Sequence, residues 1–213
     1  MLNPIIKASF ETLEMVFVSG LFSLIGGLPL GILLHLCAPN RLWSRKHLYR
    51  LLSLVVNATR SIPFIILMIA IIPFTRLMVG TSIGVHAVIV PLTLAAIPFF
   101  ARTVETALNE IPDGLIEAAK SMGANHFQII SKVLIPESLP SIISGLTLTL
   151  VNLVGYSAMA GFNGSGGLGT LAINYGYQRY DTQIMIITVL ILVVLVQCIQ
   201  SVGDYVSRKI LSH

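Results

Sequence analysis

In the stretch GFNGSGGLGT, residues 161–170, Gly164, Gly166 and Gly169 spell G-x-G-x-x-G. In a dinucleotide-binding unit that spacing provides a tight turn, a close backbone approach to pyrophosphate and a helix N-terminus facing the anion. The same chemistry needs a strand before the motif, a helix after it, and an acid about 20 residues on. Here an apolar run of membrane-helix length precedes the glycines, and Asp181 lies only 12 residues past Gly169, ahead of another apolar run. Gly164, Gly166, Gly167 and Gly169 are therefore expected to form a flexible turn that ends a helix and lets backbones crowd. No nucleotide is expected there.

Other reactive groups are not assembled into a site. Histidines at 35, 47, 86, 126 and 213 are scattered, with no H-E-x-x-H and no metal spacing. For His86, at the edge of an apolar run, packing or an interhelical hydrogen bond is favoured over ligation. Asp113, Glu117 and Glu137 belong to a polar segment rather than to a cleft of facing carboxylates, and no G-x-x-x-x-G-K-[ST] loop occurs. Cys37 and Cys198 stand far apart and read as small buried hydrophobes. No catalytic constellation emerges, which describes a conduit rather than an enzyme. Arg60 interrupts an apolar run and is a candidate buried charge. A central arginine costs about 2.5–3.5 kcal/mol on insertion scales, so it must pair, snorkel or face a wet cavity. Structural and functional roles for it stay equally open. Pro63 should bend that helix or mark its true start.

The elements that position these residues are membrane helices. Of 213 residues, 55% are hydrophobic and 10% charged, and the mean hydropathy is +0.88. A soluble domain carries about 25% charged residues, so these few charges could not cover a water-facing surface. The net charge of +4 concerns topology, not nucleic acid, because the basic residues sit in short links between apolar runs. A span needs about 20 apolar residues, and five runs qualify: 13–37, 51–73, 79–101, 139–160 and 184–206. The N-terminus has one lysine and then Glu11 and Glu14 before a long apolar run, so the first run is expected to be a retained helix rather than a cleaved signal. Arg41, Arg45, Lys46, Arg50, Arg102, Lys120, Lys132, Arg208 and Lys209 fall on one side, and only Lys7, Arg76 and Arg179 on the other. The positive-inside rule then places the N-terminus outside and the C-terminus in the cytoplasm. Residues 74–78 should form a short outer turn. The long segments 102–138, inside, and 161–183, outside, are where function is expected.

Within the inner segment, Leu115, Ala118, Ala119 and Met122 recur at helical spacing on one face, while Glu117, Lys120 and Ser121 fall off it. Gly123 supplies a left-handed helix stop. A second amphipathic piece, Asn125 to Leu134, carries Phe127, Ile130 and Val133, and Pro136 should stop it. Such helices could rest on lipid, but alanines bury little area there and suit close docking into a protein groove.

These residues carry a resemblance. Glu117-Ala118-Ala119, three residues, Gly123, nine residues, then Val133-Leu134-Ile135-Pro136 resembles the EAA loop of ABC importer permeases, with Val133 and Ile135 as conservative departures. Across most of the chain, Arg60-Ser-Ile-Pro-Phe-Ile-Ile-Leu67, Pro73-Phe-Thr-Arg76, Val79-Gly-Thr-Ser-Ile-Gly84, Val90-Pro-Leu-Thr93, Leu153-Val-Gly-Tyr-Ser-Ala-Met159, Gly166-Gly-Leu-Gly169 and Tyr175-Gly-Tyr177 are similar to the methionine-importer permease family. The resemblance implies an all-α polytopic membrane protein, residues 1–213 forming one permease domain of five helices with the type I ABC importer fold and a coupling loop at about 102–138. It implies a homodimer in the bacterial inner membrane and two ATP-binding subunits on the cytoplasmic side, which would hold ATP and Mg. A periplasmic or lipid-anchored methionine-binding protein would dock outside. No cofactor is expected in this chain. Glu117, Ala118, Ala119, Met122 and Gly123 would couple to the ATPase, while Tyr156, Ser157 and Met159 would line the path or gate, with helix packing as their alternative role.

Two other classes stay in view. An ion-coupled secondary transporter needs a buried acid mid-membrane, which no span has near its centre. An intramembrane enzyme needs a nucleophile and a facing base, and only isolated serines and His86 are offered. An ABC permease for another amino acid or small solute is the nearer alternative.

Overall fold

The computed structural model describes residues 2–211, with side chains for 3–211, so His213 lies outside the described residues. Ten α-helices follow one another, and no strand occurs among the described residues. They are α1 (Leu2–Cys37), α2 (Lys46–Ser61), α3 (Phe64–Ala70), α4 (Ile72–Val79), α5 (Val85–Asn109), α6 (Asp113–Ser121), α7 (His126–Ile129), α8 (Ile135–Ala160), α9 (Gly167–Leu171) and α10 (Thr182–Leu211). Among the described residues four helical stretches are long and apolar enough to cross a membrane, and α2 and α3 reach that length and apolarity only together, with a bend of 102° between them.

The bend corrects the expected second span, 51–73. Pro63 disfavours helical geometry at the residue before it. Ile62 is accordingly extended, at φ −82° and ψ 124°, and α3 starts only after Pro63. The outer turn also moves. Residues 74–78 lie inside α4, where Pro73 sits in the first turn and starts the helix. The chain turns instead at 80–84, between Gly80 (φ 79°) and Gly84 (φ 103°), which no L side chain adopts easily. The first span begins earlier than residue 13, because α1 runs for 36 residues, about 54 Å at 1.5 Å per residue. That exceeds a bilayer core of about 30 Å.

Pro136 does not stop the helix that contains it. Residues 126–163 form one stretch long and apolar enough to span, joined by a wider π turn over Ile130–Leu134 in which the Ile135 N–H donates to the Ile130 carbonyl. An extra residue in a helical turn is a known way to absorb a local defect in the hydrogen-bond ladder. Because α5 extends to Asn109, the break between the two spans narrows from the expected 102–138 to 110–125.

The core is built on close helix approach. A Cβ on Gly31 would lie 2.5 Å from the Ala101 carbonyl oxygen, and one on Gly27 2.9 Å from that of Ile97. Small residues permit such contact in membranes, so α1 and α5 pack backbone to backbone. Phe100, Val104, Leu108, Leu36 and Ile111 fill the end of the bundle that bears α6. Met15, Val16, Leu92 and Leu153 fill the middle.

Candidate functional site

Helix α6 stands on the bundle like a bracket. Ile116 and Ala119 are buried and pack with Val104, Leu108, Ile129 and Leu134 of the core. Leu115, Ala118 and Met122 point away, with Met122 82% exposed. This divides the single face expected from the sequence. Ala119 is a floor residue, and the outward knob is Leu115, Ala118 and Met122, beside an exposed Phe127. Glu117 is exposed, and its carbonyl accepts the Ser121 hydroxyl. Gly123 ends the helix at φ 80°. Its N–H donates to Lys120 (2.9 Å), and the Ala124 N–H donates to Ala119 (3.1 Å), the bond pair of a Schellman cap. Asn125 then opens α7 with a capping box to Gln128. Both sides of the short link are locked. At its start, Arg41 from the turn after α1 pairs with Asp113, which ties a second segment to α6.

The glycine stretch is closely packed. Gly161 and Gly169 stand so close that a Cβ on Gly161 would collide with the Gly169 backbone, and one on Gly169 with the Ala158 backbone. Gly164, Gly166 and Gly167 all have positive φ, which lets the chain reverse into α9. The opening N–H groups of α9 are taken by α1: Gly167 N–H donates to Glu11 Oε2 at 2.7 Å, and Leu168 N–H donates to Thr12 Oγ1 at 2.9 Å. The anion cradle that the glycine spacing suggests does exist, and this chain's own Glu11 fills it.

Along α8 a stripe of mixed polarity remains uncovered. Glu137, Ser144, Leu148, Gly155 and Met159 are exposed, and together with the half-buried Ser141 and Asn152 they follow one another at steps of three and four residues. Of the expected gate residues, Met159 lies on this stripe and is 47% exposed. Tyr156 stacks on Phe64 with centroids 4.9 Å apart, so it ties α8 to the first residue of α3. Ser157 is buried, and its hydroxyl donates back to the Val154 carbonyl. It packs and lines nothing open. Arg60 is exposed rather than buried, held over the Phe99 ring at 5.6 Å. It edges a cleft of about 620 Å³ that Arg102, Glu110, Glu137, Ser141 and Ser144 also line, so the wet-cavity reading fits its position.

Sequence reasoning missed the role of Glu11, read there only as a charge ahead of an apolar run, and passed over Thr12. The available signal was an acid beside a hydroxyl just ahead of an apolar run, in a chain with a glycine-rich segment on the same predicted side. Glu105 was missed as well. It is 3% exposed, accepts from Arg102 at 2.6 Å and from the Tyr49 hydroxyl at 3.1 Å, and fastens α2 to α5.

The family described as "Binding-protein-dependent transport system inner membrane component" matches residues 27–212. The probable D-methionine transport system permease protein MetI of Vibrio cholerae is 54% identical over 206 residues, covering 97% of this chain and 92% of its own length. The D-methionine transport system permease protein MetI of Escherichia coli K12 is 55% identical over 157 residues, 74% of this chain and 72% of its own. Among solved structures, a chain of the MetNI methionine ABC transporter in an inward-facing conformation superposes with a TM-score of 0.97 at 51% identity, covering 99% and 97% of the two chains. A chain of an amino acid ABC transporter crystallised with histidines has a TM-score of 0.78 at 20% identity over 98% and 94%, a likeness of fold alone.

Proposed function

The chain belongs to the binding-protein-dependent transport system inner membrane component family, and from that premise we propose that it carries methionine across the inner membrane by alternating access. It is an ABC importer permease. Two copies would enclose the path, with the stripe of mixed polarity on α8 turned toward it. Two ATP-binding subunits, holding ATP and Mg, would receive α6 on the cytoplasmic side. A methionine-binding protein would dock at the opposite end, near α9. By the positive-inside rule the C-terminus and α6 would lie inside and the N-terminus outside.

One observation carries the mechanism: α6 faces two ways. Its outer face, Leu115, Ala118 and Met122, is exposed for docking, and its inner face, Ile116 and Ala119, belongs to the same core as Val104 on α5 and Ile142 on α8. A displacement imposed on α6 by closure of an ATPase dimer therefore passes into two spans as a rigid-body motion, since packed cores shift between discrete arrangements rather than deforming continuously. ATP binding would close the ATPase pair and open the path outward, where the binding protein releases methionine. Hydrolysis would reset the path inward.

The test is reconstitution with co-expressed ATPase and binding protein in proteoliposomes. Labelled methionine should accumulate only with ATP and with both partners present, and unlabelled methionine should compete better than other amino acids. Uptake that persists without the ATPase subunit overturns the importer mechanism. Better competition by another amino acid overturns the substrate assignment alone.

A further inference from the structure

Helix α2 and the turn before it have a geometry that transport does not explain. Tyr49 meets Glu105, and eleven residues later Arg60 meets Phe99, six residues back along α5. At 1.5 Å per residue, α2 covers about 16 Å of its own length while climbing only about 9 Å along α5. It therefore runs obliquely to α5. Its three faces differ. Tyr49, Leu52 and Val56 pack against Leu34 and Ala101. Leu51, Leu54 and Val55 are 61%, 63% and 53% exposed. On the third face stand Lys46, Arg50 and Asn57, all exposed.

The charge here is of one sign. Arg45, Lys46, His47 and Arg50 are exposed, no ion pair forms at any of them among the described residues, and no Asp or Glu occurs in the sequence between Glu14 and Glu105. Arg41 is already committed to Asp113. Just before α2, the Trp43 backbone N–H donates to the Leu36 carbonyl at 3.0 Å, which holds the main chain of this residue, 44% exposed, level with the end of α1. An indole at that level, a row of cations and an adjoining aliphatic face match the layers of an anionic membrane surface: boundary, headgroups and acyl chains.

We propose that Trp43–Ser61 is an interfacial helix whose Arg45, Lys46 and Arg50 bind the headgroups of anionic phospholipids in the inner leaflet, while Leu51, Leu54 and Val55 enter the acyl region. The leaflet assignment rests on the orientation given above. Lipid fits this surface better than a protein partner does, because one amphiphile meets the cationic and the aliphatic face together and the surface continues into the spans.

Trp43 is the single tryptophan of the chain, so it reports on this site. The assembled importer is reconstituted into phosphatidylcholine vesicles that contain, at equal mole fraction, either phosphatidylglycerol or phosphatidylcholine brominated on the upper acyl chain. The fluorescence of a matched W43F complex is subtracted, which removes any tryptophan of the partner subunits. Brominated phosphatidylglycerol should quench Trp43 at least about twofold more than brominated phosphatidylcholine. High salt should abolish the preference in the unmodified protein, a control that needs no variant to fold. The triple variant R45Q/K46Q/R50Q should bring the two lipids to parity while still co-purifying with the ATPase. Equal quenching by both lipids in low salt overturns headgroup binding, and no quenching by either overturns the lipid contact by showing the segment covered by protein. Failure of the importer reading would show in methionine uptake and leave this lipid preference in place.

Discussion

Glu11 occupies the position at the start of α9 that an external anion takes in a nucleotide fold. A carboxylate accepting from a helix-opening amide forms a charge-assisted bond, stronger than a neutral one. Its loss leaves the Gly167 N–H without a partner in a part-buried place, at a cost of about 1.5–3 kcal/mol. E11A should therefore lower the apparent melting temperature of the purified complex by several degrees, and E11Q, which keeps an acceptor oxygen, should fall between. Thermal unfolding followed by tryptophan-independent dye binding reads this order, and an E11A curve that overlays the parent shows that the clasp carries no stability. Gly169 is a stricter case. Any side chain there meets the Ala158 backbone, which cannot yield as a flexible side chain would. G169A should fail to accumulate in the membrane fraction, while the same change at Gly155, open on its outer side, should accumulate normally.

At the scale of elements, α6 separates docking from folding. M122D places a charge on a residue 82% exposed. Permease abundance should hold, while the ATPase subunit co-purified per permease falls severalfold; an unchanged ratio removes Met122 from the docking surface. Gly123 acts differently. Nothing lies within 4 Å of an added Cβ, so the only penalty on G123V is a left-handed conformation, about 1–2 kcal/mol for a residue with a side chain. That change should unwind the last turn of α6 and lower ATP-driven uptake more than it lowers basal hydrolysis, with G123N milder. The elements were legible in the sequence where a long apolar run coincides with a helix, as for α10, or where a local stop needs no partner, as at Gly123. Legibility failed at prolines. Pro63, Pro73 and Pro136 are the same residue in sequence, but one breaks a helix, one opens a helix, and one is carried through by a π turn. Which outcome occurs depends on neighbouring helices that can satisfy the freed backbone. The split of α6 was hidden for a related reason. Periodicity places Ala118 and Ala119 on one broad face, and only the packed core decides that Ala119 turns inward.

For the whole molecule, lipid and protein partners can be assigned to different surfaces by polarity. In the first half of α10 the exposed residues from Ile186 to Val194, namely Ile186, Ile187, Val189, Leu190, Val193 and Val194, are all aliphatic, as a lipid-facing stretch requires, and exposed Gln197, Gln200 and Ser201 come only after them. The stripe on α8 is mixed, with Glu137, Ser141, Ser144 and Asn152 interspersed with Leu148 and Met159. Ser141 and Ser144 are satisfied within the chain, by Glu110 and by the Pro140 carbonyl and Ser207, but an exposed carboxylate such as Glu137 is costly against hydrocarbon, so that stripe belongs against water or a second copy of the chain. In a two-fold assembly the same residue on each subunit comes near its counterpart only close to the axis. Cys37 is buried and Cys198 is exposed on α10, so the background for a thiol probe is C198S. In it, M159C should form a disulfide-linked dimer under mild oxidation, and the link should block methionine uptake until reduced. V193C, on the aliphatic face of α10, should remain monomeric in the same gel. If V193C links and M159C does not, the interface runs along α10 and the stripe on α8 faces lipid. The path would then have to be sought between α5 and α10, beside Arg60.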